Sequence, residues 1–462
     1  MWGNAVPARV DQRTHDERAR ERRCTRHSAR WSAPTANRAP GPVTSPPMWR
    51  KGRHMADAKR WATRGTLALL GPAFVASLSY VDPGNVAANI SAGNRYGYSL
   101  IWVLLAASLM SVLLQYSSAK LGIVTGRSLP QLVTDGLSRR RWLGLAYGLQ
   151  GLVMAIATDF AEVVGGALAL FLLFGIPLWL GGLIVGLVSM VLLRLLLHRG
   201  ERVFERGVAS VLAIVVVGFL AALFVHPPDA AAALAGAIPS VPSREAIPLI
   251  AAMLGATVMP HAIYLHSSLA IDRYRPGGVP VAKIRDLLHL QKLDVGLALA
   301  IAGAVNVAML LIGATVLHGA AGDTIEAAYA GLAADGSAFT AVMMAVGLLA
   351  SGIGSAVVGT HAGSRMIRDT LPAALSPTTR RFVTLAPALI LLVIGVHPTA
   401  LLVLSQLVLS FGIALAAVPL VMFTGNKTLM GEHVDPPWFR VVLWAVVAAV
   451  VTLNVAVLAT SL

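Results

Sequence analysis

The sequence predicts an all-α polytopic membrane protein. Eleven transmembrane helices are expected, with spans one to five and six to ten forming an inverted 5+5 repeat, helices one and six broken, and one extra helix at the end. Three observations carry this expectation. Of 462 residues, 56% are hydrophobic and only 13% charged, a balance foreign to soluble domains. From about residue 66 to the C-terminus the chain offers eleven apolar runs, each near the roughly 20 residues that a helix needs to cross a hydrocarbon core. Two of those runs, five spans apart, are interrupted by proline beside polar residues. Period-two alternation, the mark of a membrane barrel, is absent.

Residues 1–60 are rich in Arg, Ser and Pro and poor in apolar residues, so they are expected to form a disordered basic tail. The tail lacks the apolar core and small-residue cleavage site of a secretory signal. Met48 or Met55 is a candidate for the true translation start, an expectation that N-terminal sequencing of native protein would settle. Cys24, the single cysteine, lies in this tail, which excludes an intramolecular disulfide and any thiolate metal site in the membrane. Residues 61–225 are read as the first repeat, 226–246 as an outward loop, 247–425 as the second repeat and 426–462 as the eleventh span.

The net charge of +15 does not call for a nucleic-acid partner once its distribution is followed. Of 37 Lys and Arg, 15 fall in residues 1–64. With the N-terminus in the cytoplasm, inward loops and helix ends carry 20 more, and outward loops carry two, Arg95 and Arg244. That asymmetry is the positive-inside rule. It places the C-terminus outside.

The first interruption is "DPGN", Asp82 to Asn85, inside "GPAFVASLSYVDPGNVAANISAG". A charged side chain near the bilayer centre costs at least about 2.5 to 3.5 kcal/mol, so Asp82 requires a compensating partner. Pro83 has no N–H to donate and Gly84 accepts unusual dihedrals, so together they are expected to unwind the helix. Freed carbonyls are tolerable in lipid only where they line a cavity or are buried in protein. Asp82 and Asn85 add a negative charge and an amide oxygen to them, and a cation is the natural complement; a proline-kinked helix whose Asp pairs with a neighbouring helix is the alternative.

The second interruption is "LGATVMPHAIYLHSSL" in span six, where Met259, Pro260 and His261 sit in an apolar run. Broken helices at corresponding positions of two halves point to an inverted-repeat transporter of the leucine-transporter type, with its site at the midplane between them. Asp82, Asn85 and carbonyls alone suit hard ions such as sodium, calcium or magnesium. A thioether from Met259 shifts the preference toward Mn, Fe, Co and the toxic mimic Cd, whereas a packing role for the methionine would leave it unchanged.

"DPGN" with "MPH" and "YLHS" resembles the Nramp family of proton-coupled divalent metal transporters, and the resemblance extends from about residue 60 to the end. It implies metal ligation by Asp82, Asn85, the carbonyl of Ala256 and the sulfur of Met259, with Gln406 in "LLVLSQLVLSFG" joining in some states. Further echoes are "ATDFAEVVGGALAL", "VNVAMLLI" and "GTHAGSRM". Where the family often has "MPHN", this chain has Ala262 after His261. Family relatives that carry magnesium or aluminium lack the methionine.

Asp159 and Glu162, spaced i,i+3 on span three, face one side of a helix. Two carboxylates on one buried face rarely ionise together, which suits a proton-carrying site; a structural ion-pair network is the alternative. The resemblance implies a proton route from the metal site along this pair toward Arg380 and Arg381, which open span nine. His261 and His266 lie about 140° apart around a helix and cannot ligate one metal from one face. A hydrogen-bonding role competes for each with a proton-linked one, since unperturbed imidazole titrates near pH 6.5; the resemblance associates both with proton coupling and gating. No HExxH motif, nucleophile motif or soluble catalytic domain is present, so no enzyme is expected.

The expected function is therefore proton-coupled import of Mn or Fe, with Cd and Co also carried, by alternating access. No permanently bound cofactor is expected, a monomer suffices, and composition suggests a bacterial inner membrane. A sodium-coupled amino-acid symporter of the same architecture is the alternative, but it has no use for Asp82 beside Met259.

Overall fold

A computed structural model describes residues 71–137, 140–274, 281–318, 322–334, 338–371 and 377–461. The basic tail expected over 1–60 lies outside them. Among the described residues the regular structure is helical, with no strand. Span one comprises α1 (Pro72–Leu78), a 3₁₀ turn (Ser79–Val81) and α2 (Pro83–Tyr96). Span two is α3 (Ile101–Thr125), followed by the short α4 (Leu129–Gly136). Spans three to five are α5 (Arg141–Phe174), α6 (Leu178–His198) and α7 (Glu201–Val225), with α8 (Ala230–Ala235) in the next loop. Span six is α9 (Ala246–Thr257) and α10 (Pro260–Tyr274). Span seven is α11 (Val281–Val316), and α12 (Ile325–Ala334) leads into span eight, α13 (Ala338–Thr370). Spans nine and ten are α14 (Pro377–Ile394) and α15 (Pro398–Thr424); α16 (Lys427–Met430) precedes span eleven, α17 (Pro437–Ser461).

Nine of these spans, six being counted across its break, are long and apolar enough to cross a membrane. The other two are the interrupted first span and span nine, whose apolar part, Phe382–Ile394, is shorter. The short helices α4, α8 and α12 in the connections carry no long apolar run and are not anticipated from sequence.

The packing repeats between the halves. Within span one, α2 packs on span seven and α1 on span five; within span six, α10 packs on span two and α9 on span ten. Advancing each span by one five-helix repeat converts the first pair of contacts into the second. Spans three and eight, equivalent under the same operation, pack on each other as α5 against α13. They cross at glycine, where a Cβ on Gly352 would lie 2.8 Å from the Cα of Gly166. Such close backbone approach replaces the hydrophobic driving force that is missing between helices in lipid.

The break in span one differs in cause from the sequence expectation. Gly84 is helical and has no positive φ, and Pro83 is the first residue of α2, where its missing N–H costs nothing. The interruption precedes them: α1 tightens into the 3₁₀ turn, and Asp82 turns extended (φ −69°, ψ 166°) to cap the new helix. Gly84 serves close packing instead, because a Cβ there would fall 1.6 Å from Nε2 of Gln406 on α15. In span six, α9 ends at Thr257 and α10 restarts at Pro260.

Span eleven is fastened to this ten-span body by polar contacts. Lys120 of α3 pairs with Asp435, just before α17, at 2.5 Å, with both side chains nearly inaccessible. On α15, Ser410 donates to Oδ1 of Asn454 (2.9 Å), whose amide returns a bond to the Ser410 carbonyl (3.0 Å).

Candidate functional site

Both breaks expose backbone carbonyls inside the protein, and four of them are met by side chains from other segments. Asn306 of α11 donates to Tyr80 O (2.8 Å) and Ser351 of α13 to Val81 O (2.5 Å). Ser111 of α3 donates to Thr257 O (2.8 Å), and Asn85 Nδ2 to Ala256 O (2.8 Å). Those four bonds serve the requirement that polar backbone groups in lipid be satisfied internally.

Asp82 is fully buried. Its Oδ1 accepts from Asn85 N and Asn85 Nδ2, both at 2.8 Å, and its Oδ2 accepts from Gln406 Nε2 at 3.1 Å. The first is an N-cap bond, so the N-terminus of α2 supplies part of the compensation for the carboxylate. Asn85 is thus the hub joining Asp82 to the end of α9. Its own Oδ1 receives only a 3.4 Å bond from Thr257, and Oε1 of Gln406 has no hydrogen-bond partner among the described residues. Rotating either amide by half a turn presents its oxygen where its nitrogen stands.

The structure therefore brings Asp82, Asn85, Ala256 and Gln406 into one hydrogen-bonded cluster. Met259 is fully buried in the short link between α9 and α10, three residues beyond Ala256. Among the described residues no group of three or more His, Cys, Asp or Glu is placed to hold a metal. The cluster is chemically different: one carboxylate, two amides, a helix-end carbonyl and a nearby thioether.

Two polar systems lead away from it. On one side His261, directly after Pro260, meets Thr158 of α5 through Nδ1 at 3.0 Å. Thr158 precedes Asp159; both Asp159 and Glu162 are buried, and the Glu162 carboxylate lies against the backbone of α13 at Gly359. Arg380 and Arg381 fall in the first turn of α14, and their side chains are outside the described residues.

On the other side, His266 turns away from span three. Its Nδ1 meets Gln115 Oε1 (2.7 Å) and its Nε2 meets Gln291 Nε2 (3.2 Å). Gln115 donates to the Tyr80 hydroxyl, and Gln291 to Oδ2 of Asp294 (3.4 Å). Asp294 of α11 in turn accepts from the first N–H groups of span one, Gly71 (3.1 Å) and Ala73 (3.0 Å). Glu205 of α7, paired with Arg273 at 3.5 Å, lies beside Gly71. A continuous buried chain thus runs from the break of span one to its N-terminal end. With Gln115 Nε2 committed to Tyr80, the bonds are consistent with a neutral His266 carrying its proton on Nδ1.

None of Ser111, Gln115, Gln291, Asp294 and Ser351 belongs to a recognisable motif. The available signal is an isolated polar residue in an apolar run, most clearly the lone carboxylate of Asp294 in "KLDVGLALA". Asn306 lies in "VNVAMLLI", noted above without a role.

A cavity of about 360 Å³ lies between α2, α9, α15 and the residues just before α12, lined by Ser91, Arg95, Glu245, Asp323 and His397 at its polar end. It reaches Leu407, the chain neighbour of Gln406.

Comparison with known proteins then decides the family. Residues 73–460 match the family described as Natural resistance-associated macrophage protein-like. The chain belongs to the Nramp family. This Nramp chain is 47% identical over 403 residues to the divalent metal cation transporter MntH of Mycobacterium tuberculosis (strain ATCC 25618 / H37Rv), covering 87% of itself and 93% of that protein. The crystal structure of the Eremococcus coleocola manganese transporter, in complex with an aromatic bis-isothiourea substituted compound, superposes with a TM-score of 0.76. It is 29% identical, over 85% of this chain and 86% of that one. Mhp1, a nucleobase-cation-symport-1 family transporter, superposes at 0.52 with 15% identity over 84% and 90% of the two chains. At that identity the likeness concerns the fold alone, and the fold is the leucine-transporter-type arrangement expected from the two breaks.

Proposed function

We propose that this chain is a proton-coupled symporter that moves divalent transition metals, Mn or Fe first and Cd and Co also, across the membrane into the cytoplasm. The observation that carries the reading is the cluster at the two breaks, where one chain of hydrogen bonds joins Gln406, Asp82, Asn85 and the Ala256 carbonyl. Similarity to proteins named divalent metal cation transporter and manganese transporter supports the substrate class.

In this reading the metal enters along the cavity beside α15 and displaces the amide nitrogens of Asn85 and Gln406 from Asp82. Both amides rotate to offer oxygen, the carboxylate supplies the formal charge, and the C-terminal end of α9 offers a carbonyl at the negative pole of its dipole. Met259 adds the soft donor that favours transition metals over calcium or magnesium. His261, Asp159 and Glu162, with Arg380 and Arg381 beyond them, form the proton side, and His266 belongs to the gate that holds span one. The metal and proton are transported substrates, with no resident cofactor. The N-terminus faces the cytoplasm and the C-terminus the outside, as the charge asymmetry indicates, and one chain suffices for transport.

Uptake of Mn by proteoliposomes containing the purified protein tests this reading. An acidic exterior is expected to accelerate uptake, and Mn addition is expected to acidify the lumen. Metal-independent uptake of amino acids driven by sodium would overturn it.

A further inference from the structure

We propose that the groove between α3, α9 and α17 binds one phospholipid, an acyl chain lying between the helices and the phosphate beside Arg244. The inference rests on the membrane orientation proposed above, which makes this the outer leaflet.

The groove encloses about 420 Å³. Its walls are α3 from Trp102 to Met110, α9 from Ile247 to Leu254, and α17 from Ala449 to Ala456, and Thr452 and the Trp102 indole supply its only polar lining groups. At 1.5 Å per residue each wall runs about 10 to 12 Å along its helix. Half of a hydrocarbon core about 30 Å thick is about 15 Å. The groove therefore fits within one leaflet. A partner's transmembrane helix is about 30 Å long and would leave most of its length outside so short a groove, whereas an acyl chain of one leaflet matches the depth. Ala449 and Ala456, two turns apart on one face of α17, leave the space.

The rim is built for a headgroup. The Trp102 indole N–H donates to Ser240 O at 2.8 Å, in keeping with the preference of tryptophan for the membrane interface. Arg244 is exposed three residues before Ile247, at the entry of α9. Glu245 is exposed beside it, so the local field is nearly neutral and a phosphate is held through the paired N–H donors of the guanidinium rather than by net charge. At the floor, Leu254 is two residues from Ala256. A lipid in the groove thus packs on the half-helix whose end contributes to the candidate metal cluster.

The test uses the full chain in nanodiscs containing phosphatidylglycerol with a photoreactive diazirine on one acyl chain, with adducts mapped by peptide mass spectrometry. Adducts are expected to concentrate on the three groove walls, several-fold above those at exposed Leu187 of α6 and Phe224 of α7. Ala456→Phe should abolish the groove adducts by filling the space. Arg244→Gln should reduce them, and a diazirine diacylglycerol lacking phosphate should label weakly in the wild type. Even labelling of the whole apolar surface, undiminished adducts in Ala456→Phe, or equal labelling by the diacylglycerol would overturn the proposal. If Ala456→Phe does not fold, the wild-type map and Arg244→Gln still decide. Metal uptake is read separately, so loss of the lipid site with uptake intact leaves the transport reading standing.

Discussion

Gln406 of α15 donates its amide N–H to Oδ2 of Asp82 across 3.1 Å, and it reaches that position only because residue 84 has no Cβ. Gly84→Ala places a methyl group 1.6 Å from the present position of Nε2 and forces Gln406 aside. In the proposed bound state Gln406 turns its amide oxygen to the metal, and forcing the side chain aside removes that donor, so the KM for Mn uptake should rise about tenfold. The check is a double-mutant cycle: in a Gln406→Ala background, Gly84→Ala should add little. Fully additive losses would show that Gly84 acts elsewhere.

Asp82→Ala removes the only carboxylate of the cluster, and Asn85 then loses two hydrogen bonds, both to Oδ1 of Asp82. Transport of every divalent metal should cease while protein remains folded by size-exclusion chromatography. Robust Mn uptake by this variant would sink the proposed site.

Met259→Ala deletes the one soft donor and leaves the oxygens in place. Cd uptake should fall most, Mn less, and Ca or Mg should gain relative to both. A packing methionine predicts instead a cavity costing about 2 to 5 kcal/mol of stability, with all metals affected alike. Ratios of Cd, Mn and Ca uptake, normalised to folded protein, separate the two outcomes.

Asp159→Asn and Glu162→Gln keep the shape of α5 but each replaces an acidic side chain of its buried face by an amide. Each should alter proton flux or the pH dependence of metal uptake while metal binding persists, measured by calorimetry with Cd. Unchanged proton flux and pH profile in both variants would return the pair to a structural role.

Asp294→Ala withdraws the acceptor of the Gly71 and Ala73 N–H groups and so unpins α1 from α11. Loss of such a cap costs about 0.5–2 kcal/mol, enough to raise the population with α1 released up to about thirty-fold. The single native cysteine makes this measurable. In a Cys24→Ser background, Val75→Cys, buried in α1, should react with maleimide markedly faster once Asp294 is replaced. An unchanged rate would mean that Asp294 does not hold α1.

Much of the site is legible in the sequence because its cost is local. A carboxylate, an amide and a proline inside an apolar run are expensive wherever the run is buried, so Asp82, Asn85, Met259 and Pro260 stand out without a structure. The eleven apolar runs and the charge asymmetry carry the membrane class for the same reason. Gln406 and Ala256 are different: Gln406 is one polar residue among several in apolar runs and Ala256 is unremarkable, so only resemblance assigns them to the site.

What the tertiary structure alone decided is which atoms meet. Asn306 and Tyr80 are 226 positions apart, Ser351 and Val81 270 apart, and Gln406 and Asp82 324 apart, so no local pattern joins them. The same is true of the two histidines, which the helix turns toward span three at His261 and toward spans two and seven at His266. It also corrected the reason for the first break, which arises from the 3₁₀ turn and the Asp82 cap, with Gly84 serving helix packing. Apolar periodicity records how much of a helix is buried, whereas hydrogen-bond partners inside lipid are set by which helices cross, and that is a property of the assembled bundle.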